Sequence, residues 1–419
     1  MSCFNSAEKQ SDQGTHHVST HKKTTTGVTR TTRAIGAALV LIALSYAATG
    51  VARLPSPPAL IGLALDWQPP SRSWEYFDGA PLAAAAVPAV FDERKIDLAP
   101  EVAWRDGGRI DFAGFLRETH TNALLVVQHG RLVYEHYPLG AQRATVFPSY
   151  SVAKSMLSDL VGVALAEGKI TALSDPVRKY VPDLPEKFAT LTVDDLLNMR
   201  SGVRVEEKYD SAFSQIAFMY ITTDLKRFVR GLDKTAFTPG QGFTYRSVDY
   251  LLLGMVLSAA TGEPVTRYLE RKLWQPMGAA YGASWSVDNK KHGVEKSFCC
   301  VNARAVDFAR YGLLHLRQGR AGGVQVLPAA WMQRPPEVGT ADADFAYGRG
   351  WWLPRQSAAR DDGRAPTDYT AIGIHGQYVY IDPVSDTVIV KLSDHGNEQD
   401  EALTVAAFRS IVAALLTSD

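Results

Sequence analysis

The sequence predicts an α+β protein: an antiparallel β-sheet flanked by helices, beside an all-helical lobe, with an N-terminal transmembrane or signal helix. Three observations lead there. Strand-like stretches are confined to two distant parts of the chain, residues 123–135 and 348–392, with a helical middle at about 171–270. Early and late strands of this kind pair into one sheet covered by helices. A nearly all-apolar helix pattern from Val152 to Leu165 marks a central buried helix. Finally, Ala34 to Ala52 holds no charged residue.

In chain order, residues 1–33 form a polar leader rich in Ser, Thr, Gln and His, with Lys22, Lys23, Arg30 and Arg33 giving a basic excess. The 19 uncharged residues of 34–52 are just long enough to span a bilayer. Basic residues before them set the leader in the cytoplasm and the rest outside. Small residues at Ala47, Ala48 and Ala52 would also suit a signal peptidase. The full span length and the long leader favour a retained anchor, with the main domain on the periplasmic side; cleavage would export it. Residues 53–100 are broken by Pro55, Pro57, Pro58, Pro69, Pro70, Pro81 and Pro88 and read as a linker. Trp67, Trp74, Tyr76 and Phe77 suit it to wrap on the main domain, residues 101–419.

Within that domain, Ala123 to Glu135 reads as a β-hairpin turning at His129-Gly130. The helix from Val152 ends before Gly168. Short helices are expected over Val193 to Met199, closed by Ser201-Gly202, and over Tyr250 to Ala260, closed by Thr261-Gly262. Val301 to Arg317 reads as an amphipathic helix with Ala305, Phe308, Ala309, Leu313 and Leu314 inward. Strands follow at 348–353, 377–381 and 387–392, then a last helix from about Glu401 to Leu416.

Composition excludes several functions. The 46% hydrophobic content supplies a core, and 44 basic against 44 acidic residues give no pull toward nucleic acid. The cysteines, Cys3, Cys299 and Cys300, show no zinc spacing. Neighbouring cysteines rarely meet disulfide geometry, so Cys299 and Cys300 are expected as packed thiols. There is no Gly-x-Ser-x-Gly elbow, no His-Glu-x-x-His and no phosphate loop.

The chemistry lies in Ser151-Val152-Ala153-Lys154. Residues three apart share a helix face, so the lysine amine can lie beside the serine hydroxyl. A desolvated amine is a base able to activate that serine. The serine sits at the head of a buried helix, where the dipole favours developing negative charge. Three segments keep it company: Tyr245-Arg246-Ser247 before a buried helix, Asp195 to Gly202 at a tight turn, and Gly373-Ile374-His375-Gly376-Gln377 leading into a late strand.

Together these segments, in this order, resemble the serine β-lactamase and penicillin-recognising superfamily. The likeness is to its class C-like branch of D-alanyl-D-alanine carboxypeptidases, β-lactamase-fold esterases and 6-aminohexanoate-dimer hydrolases, and it covers about residues 100–415. It implies a β-lactamase/transpeptidase-like fold and a serine hydrolase acting on a small ester or amide, with no metal and no organic cofactor. Ser151 would be the nucleophile, Lys154 and Tyr245 would share its proton, and the oxyanion would sit between the backbone N–H groups of Ser151 and Ile374. Tyr209 is placed like the loop tyrosine that contacts substrate in the nylon oligomer hydrolases. His375, Gln377 and Trp351 are further candidates for substrate contact, and loops around Tyr209, Trp285 and Trp351 would set specificity. One departure matters: the superfamily's Lys-Thr-Gly is here Gly373-Ile374-His375-Gly376-Gln377. That moves the expectation from β-lactams toward esters and amides. The alternatives are a D-amino-acid peptidase or weak β-lactamase, or a non-catalytic acylated sensor or binder.

Overall fold

A computed structural model describes residues 26–65, 69–209, 211, 213–291, 293–355, 367–396 and 399–418. Most of the polar leader, and Trp67, lie outside the described residues. The chain forms two units, Met1–Ala52 and Arg53–Asp419. The first carries the helix Thr26–Ala52, whose stretch Ala34–Ala52 is long and apolar enough to cross a membrane.

In the second unit the two strand-rich stretches pair into one sheet, the late strand Thr387–Ser393 lying antiparallel beside the early strand Thr121–Gln128. Nine strands lie in the order Gly339–Thr340, Phe345–Gly348, Trp351–Pro354, Tyr369–Gly373, Gln377–Asp382, Thr387–Ser393, Thr121–Gln128, Arg131–His136 and Asp92–Glu93. All neighbours are antiparallel except the last pair. The seam between late and early strands matches Val388 with Val127 and Val390 with Leu125. The His129-Gly130 hairpin turn forms with both residues at positive φ, the geometry of a two-residue type I′ connection.

Period-two alternation assigns each strand residue to one of two cores. Leu125, Val127, Val379, Val388 and Val390 pack with the helices Val152–Ala166 and Ala305–Leu316. Leu124, Val126, Tyr378, Tyr380 and Ile389 pack instead with Phe112–Glu118 and Glu401–Ser418. The sheet is therefore covered on both faces, and the Val152–Ala166 helix is buried along almost its whole length. Short helices Val193–Leu197, Gln215–Ile221 and Leu225–Arg230 precede the long Ser247–Thr261, which Gly262 ends in the left-handed conformation.

Three expectations need correction. Val301–Arg304 is a strand and only Ala305–Leu316 is helical. These four residues pair with Val146–Pro148 on one side and Ala283–Ser286 on the other, so tertiary pairing overrides the helical reading of a short apolar run. Cys299 and Cys300 are joined in a disulfide with their Cα atoms 3.7 Å apart; the two-residue ring is accommodated because Cys300 adopts φ +79°. Trp285 is fully buried with its indole N–H donating to the Cys299 and Lys296 carbonyls, so it serves the core.

The proline-rich arm is part of the body. Gly79–Leu82 completes a second, four-stranded sheet beside Ala283–Ser286. Ser71 donates twice to Asp394, and the Lys296 ammonium nitrogen lies 3.6 Å from the Phe77 ring centre.

The turn at Ser201-Gly202 supports the site through Ser201, which donates to the buried Asp249. Gly202 has φ +69°, and an added Cβ would stand 2.1 Å from the Phe237 carbonyl oxygen. Both backbone and space demand glycine. Gly202→Ala is expected to destabilise the protein by roughly 2–4 kcal/mol, read as a lowered midpoint in denaturant melts.

Candidate active site

Val146–Pro148 delivers the chain from the small sheet into a tight turn at Ser149-Tyr150-Ser151. Tyr150 sits at φ +43°, and its hydroxyl is held by Pro70 and Ser73 of the arm, each at 2.8 Å. Ser151 is thereby fixed as the N-cap of the Val152–Ala166 helix. One turn on, Lys154 Nζ reaches back to Ser151 Oγ at 2.7 Å. It also donates to the Phe298 carbonyl at 2.6 Å and lies 3.4 Å from Ser247 Oγ. Burial pushes the Lys154 ammonium down to about 7, against the opposing pull of Glu207 and Asp249. Near neutral pH a large share of this amine is therefore unprotonated beside the serine hydroxyl.

Tyr245 stands beside the same pair, its ring centre 5.1 Å from Lys154 Nζ and its phenol close enough to feel Ser151. Burial pushes its phenol up, so it keeps its proton where Lys154 has lost one. Its turn is tied to Met199 by the Thr244 N–H, and its ring packs on Trp352 at 5.1 Å and Tyr347 at 5.7 Å.

Of these groups Ser151 opens onto a cavity of about 600 Å³, lined also by Tyr209, Tyr220, Ser247, Ile374 and His375, among others. Arm residues Pro70, Ser73 and Tyr76 form part of its wall. Gly373 lets the late strand approach the Ser149–Ser151 turn closely: a Cβ there would lie 2.6 Å from the Ser149 carbonyl oxygen and 3.1 Å from the Ser151 nitrogen. Tyr209 lies at the mouth, half exposed, with its hydroxyl turned inward to Glu207 at 2.6 Å.

The remaining candidates separate. His375 lines the cavity and shares a hydrogen bond of 3.1 Å between its Nδ1 and the His395 carbonyl. Gln377 is buried, its amide donating to the His375 and Ser393 carbonyls and accepting from the Ser393 N–H. It staples the turn and has no face toward the cavity. Trp351 is 2% exposed and packs against Tyr311, His315 and Tyr369 in the core. Its neighbour Trp352 is the one against Tyr245, because adjacent strand residues point to opposite faces.

Sequence reasoning missed Glu207. Its carboxylate accepts from the Ser247 N–H at 3.0 Å and the Ser247 hydroxyl at 2.6 Å, and thus closes a chain from Lys154 through Ser247. No motif marks it; its place two residues before Tyr209 was the only available signal.

A model of the Beta-lactamase family matches residues 115–413. The chain is 27% identical over 309 residues to the 6-aminohexanoate-dimer hydrolase of Paenarthrobacter ureafaciens, covering 66% of this chain and 74% of the relative. It is 24% identical over 340 residues to the "Putative D-alanyl-D-alanine carboxypeptidase" of Escherichia coli K12, covering 65% and 77%. A solved structure from Bacillus anthracis, "Putative 6-aminohexanoate-dimer hydrolase", superposes with a TM-score of 0.73 at 22% identity, covering 84% of this chain and 95% of its own.

Proposed function

Because this chain belongs to the beta-lactamase family, a family of hydrolases, we propose that it is a serine hydrolase cleaving a small ester or amide through a Ser151 acyl-enzyme. Carboxylesterase and 6-aminohexanoate-dimer-hydrolase-like amidase activities are the two forms of that reading. The observation that carries it is the buried Lys154 amine 2.7 Å from Ser151 Oγ.

Lys154, neutral above pH about 7, takes the Ser151 proton as Oγ attacks the carbonyl carbon. The oxyanion is held by the backbone N–H groups of Ser151 and Ile374. Tyr245, protonated, donates to Ser151 and to the leaving group, and regains its proton through Lys154. Water, activated by the same amine, then hydrolyses the acyl-enzyme and frees Ser151. Tyr209, with Glu207 behind its hydroxyl, meets the substrate at the mouth. Residues 34–52 anchor the protein, with the catalytic domain on the periplasmic side of the membrane.

A second reading, D-amino-acid peptidase or weak β-lactamase, draws on the similarity to the Escherichia coli protein. Against it, residues 373–377 carry no lysine to meet a substrate carboxylate. The test is intact-mass spectrometry of the full chain in detergent, incubated with p-nitrophenyl esters, a 6-aminohexanoate dimer and a penicillin. Ester or amide turnover supports the proposal. An acyl adduct without turnover would mark a sensor, and neither adduct nor turnover would sink the catalytic reading.

The base makes a pH prediction. Below about 7 Lys154 is protonated and cannot accept the serine proton, so kcat/KM is expected to rise with pH through that value and then level. An ester pH–rate profile without an acid limb between about 6 and 8 would remove Lys154 as the base.

A further inference from the structure

Residues 298–301 clamp the nucleophile turn, and the bond between Cys299 and Cys300 lies at the centre of the clamp. On one side of it the Phe298 carbonyl accepts from Lys154 Nζ at 2.6 Å. On the other, Val301 exchanges two hydrogen bonds with Ser149: its N–H donates to Ser149 Oγ at 3.0 Å, and the Ser149 N–H donates to its carbonyl at 2.7 Å. Between them the Cys300 N–H donates to the Tyr150 carbonyl at 3.3 Å. Three of four consecutive residues, Phe298, Cys300 and Val301, thus hold the base and the turn that presents Ser151. The clamp is anchored in turn. Trp285 Nε1 donates to the Cys299 carbonyl at 2.7 Å, and the Ser286 N–H donates to the Cys300 carbonyl at 3.0 Å.

Cys300 stands at φ +79°, a conformation that side-chain-bearing residues leave when free to do so. Joining the side chains of two neighbours removes most of the backbone conformations open to the pair. Cys299 also lines the cavity beside Ser151, and Cys300 Sγ lies 3.5 Å from the hydroxyl of Tyr220, another lining residue.

We propose that the Cys299–Cys300 ring is a redox-sensitive positioning element of the Ser151 site, holding Phe298 on Lys154 and Cys300 on Tyr150 when closed and releasing both when opened. The inference rests on the reading of Ser151 and Lys154 as nucleophile and base. Neither cysteine touches the reacting atoms. Closing the ring removes one hydrogen from each thiol and forms the S–S bond, while a disulfide oxidant is reduced to two thiols. A dithiol reductant reverses the step, forming its own disulfide. Delivery to an oxidising compartment therefore completes the site.

The experiment compares the full chain in detergent before and after dithiothreitol. Alkylation and intact mass on a separate aliquot count free thiols. With three cysteines in the chain, one is expected to react when the ring is closed and three when it is open. Reduction is expected to lower kcat on a p-nitrophenyl ester about tenfold or more, with KM changed by less than about threefold, and reoxidation to restore it. The acid limb of the profile should move to higher pH, because the loosened clamp admits water to Lys154. Amide hydrogen exchange at residues 149–154 and 298–301 should rise together. The variant Cys299→Ser/Cys300→Ser should match the reduced chain and ignore the reductant. Three reactive thiols in the oxidised chain would overturn the proposal, as would unchanged kcat, acid limb and exchange after verified reduction. An oxidised chain that turns over no substrate would instead count against the hydrolase reading, and the exchange measurement would still decide whether the ring holds the turn.

Discussion

Ser151→Ala is expected to abolish turnover of esters and amides, with kcat falling by roughly 10³-fold or more and no acyl mass appearing on the protein. The reason is covalent. Without Oγ no acyl-enzyme can form, and the remaining groups only polarise a carbonyl that water must attack unaided. The fold should survive, because Ser151 caps its helix by backbone position and its side chain makes no capping hydrogen bond. Side-by-side intact mass and thermal melts of both proteins check this. A folded mutant that still turns over substrate within tenfold of wild type would show that another residue is the nucleophile.

Lys154→Met is expected to lower kcat/KM by roughly 10²–10⁴-fold, the range for losing a positioned general base. Methionine keeps the length and apolar stem of the side chain while removing the amine. The residual rate should lose its rise through pH about 7, since the group whose burial lowers it to that value is gone. The Phe298 carbonyl loses a donor at about 1–3 kcal/mol, partly offset because an amine no longer has to be buried. A melting temperature close to wild type is therefore expected, and it separates lost chemistry from lost fold. If activity stays within tenfold, or the acid limb persists, then Tyr245 or another group takes the serine proton.

The pieces of this site that follow local rules were readable in the sequence. Ser151 and Lys154 sit one helical turn apart, and the 2.7 Å contact between their side chains is that spacing made concrete. Tyr245 and Ser247 flank the start of a helix whose apolar run and Gly262 stop are also local. What needed the folded chain was anything that depends on partners far away in sequence. Glu207 reaches Ser247 across forty positions, and nothing in its neighbours announces that. Which of two adjacent tryptophans lies near Tyr245 was not readable either: the strand's alternation puts Trp352 beside Tyr245 and sends Trp351 into the core. Gln377 looked like a polar group aimed at substrate, yet its amide is spent on the turn itself.

By itself the sequence determined the fold class, the order of the motifs and the placing of Lys154 beside Ser151, because hydrophobic periodicity and helical spacing act over a few residues. Only the tertiary structure decided which residues wall the cavity, that Val301–Arg304 is a strand, that the proline-rich arm holds Tyr150, and that Cys299 and Cys300 close a ring behind the lysine. Those outcomes depend on which distant backbone and side-chain groups come to satisfy one another's hydrogen bonds in a dry interior, and no local pattern along the chain encodes that choice.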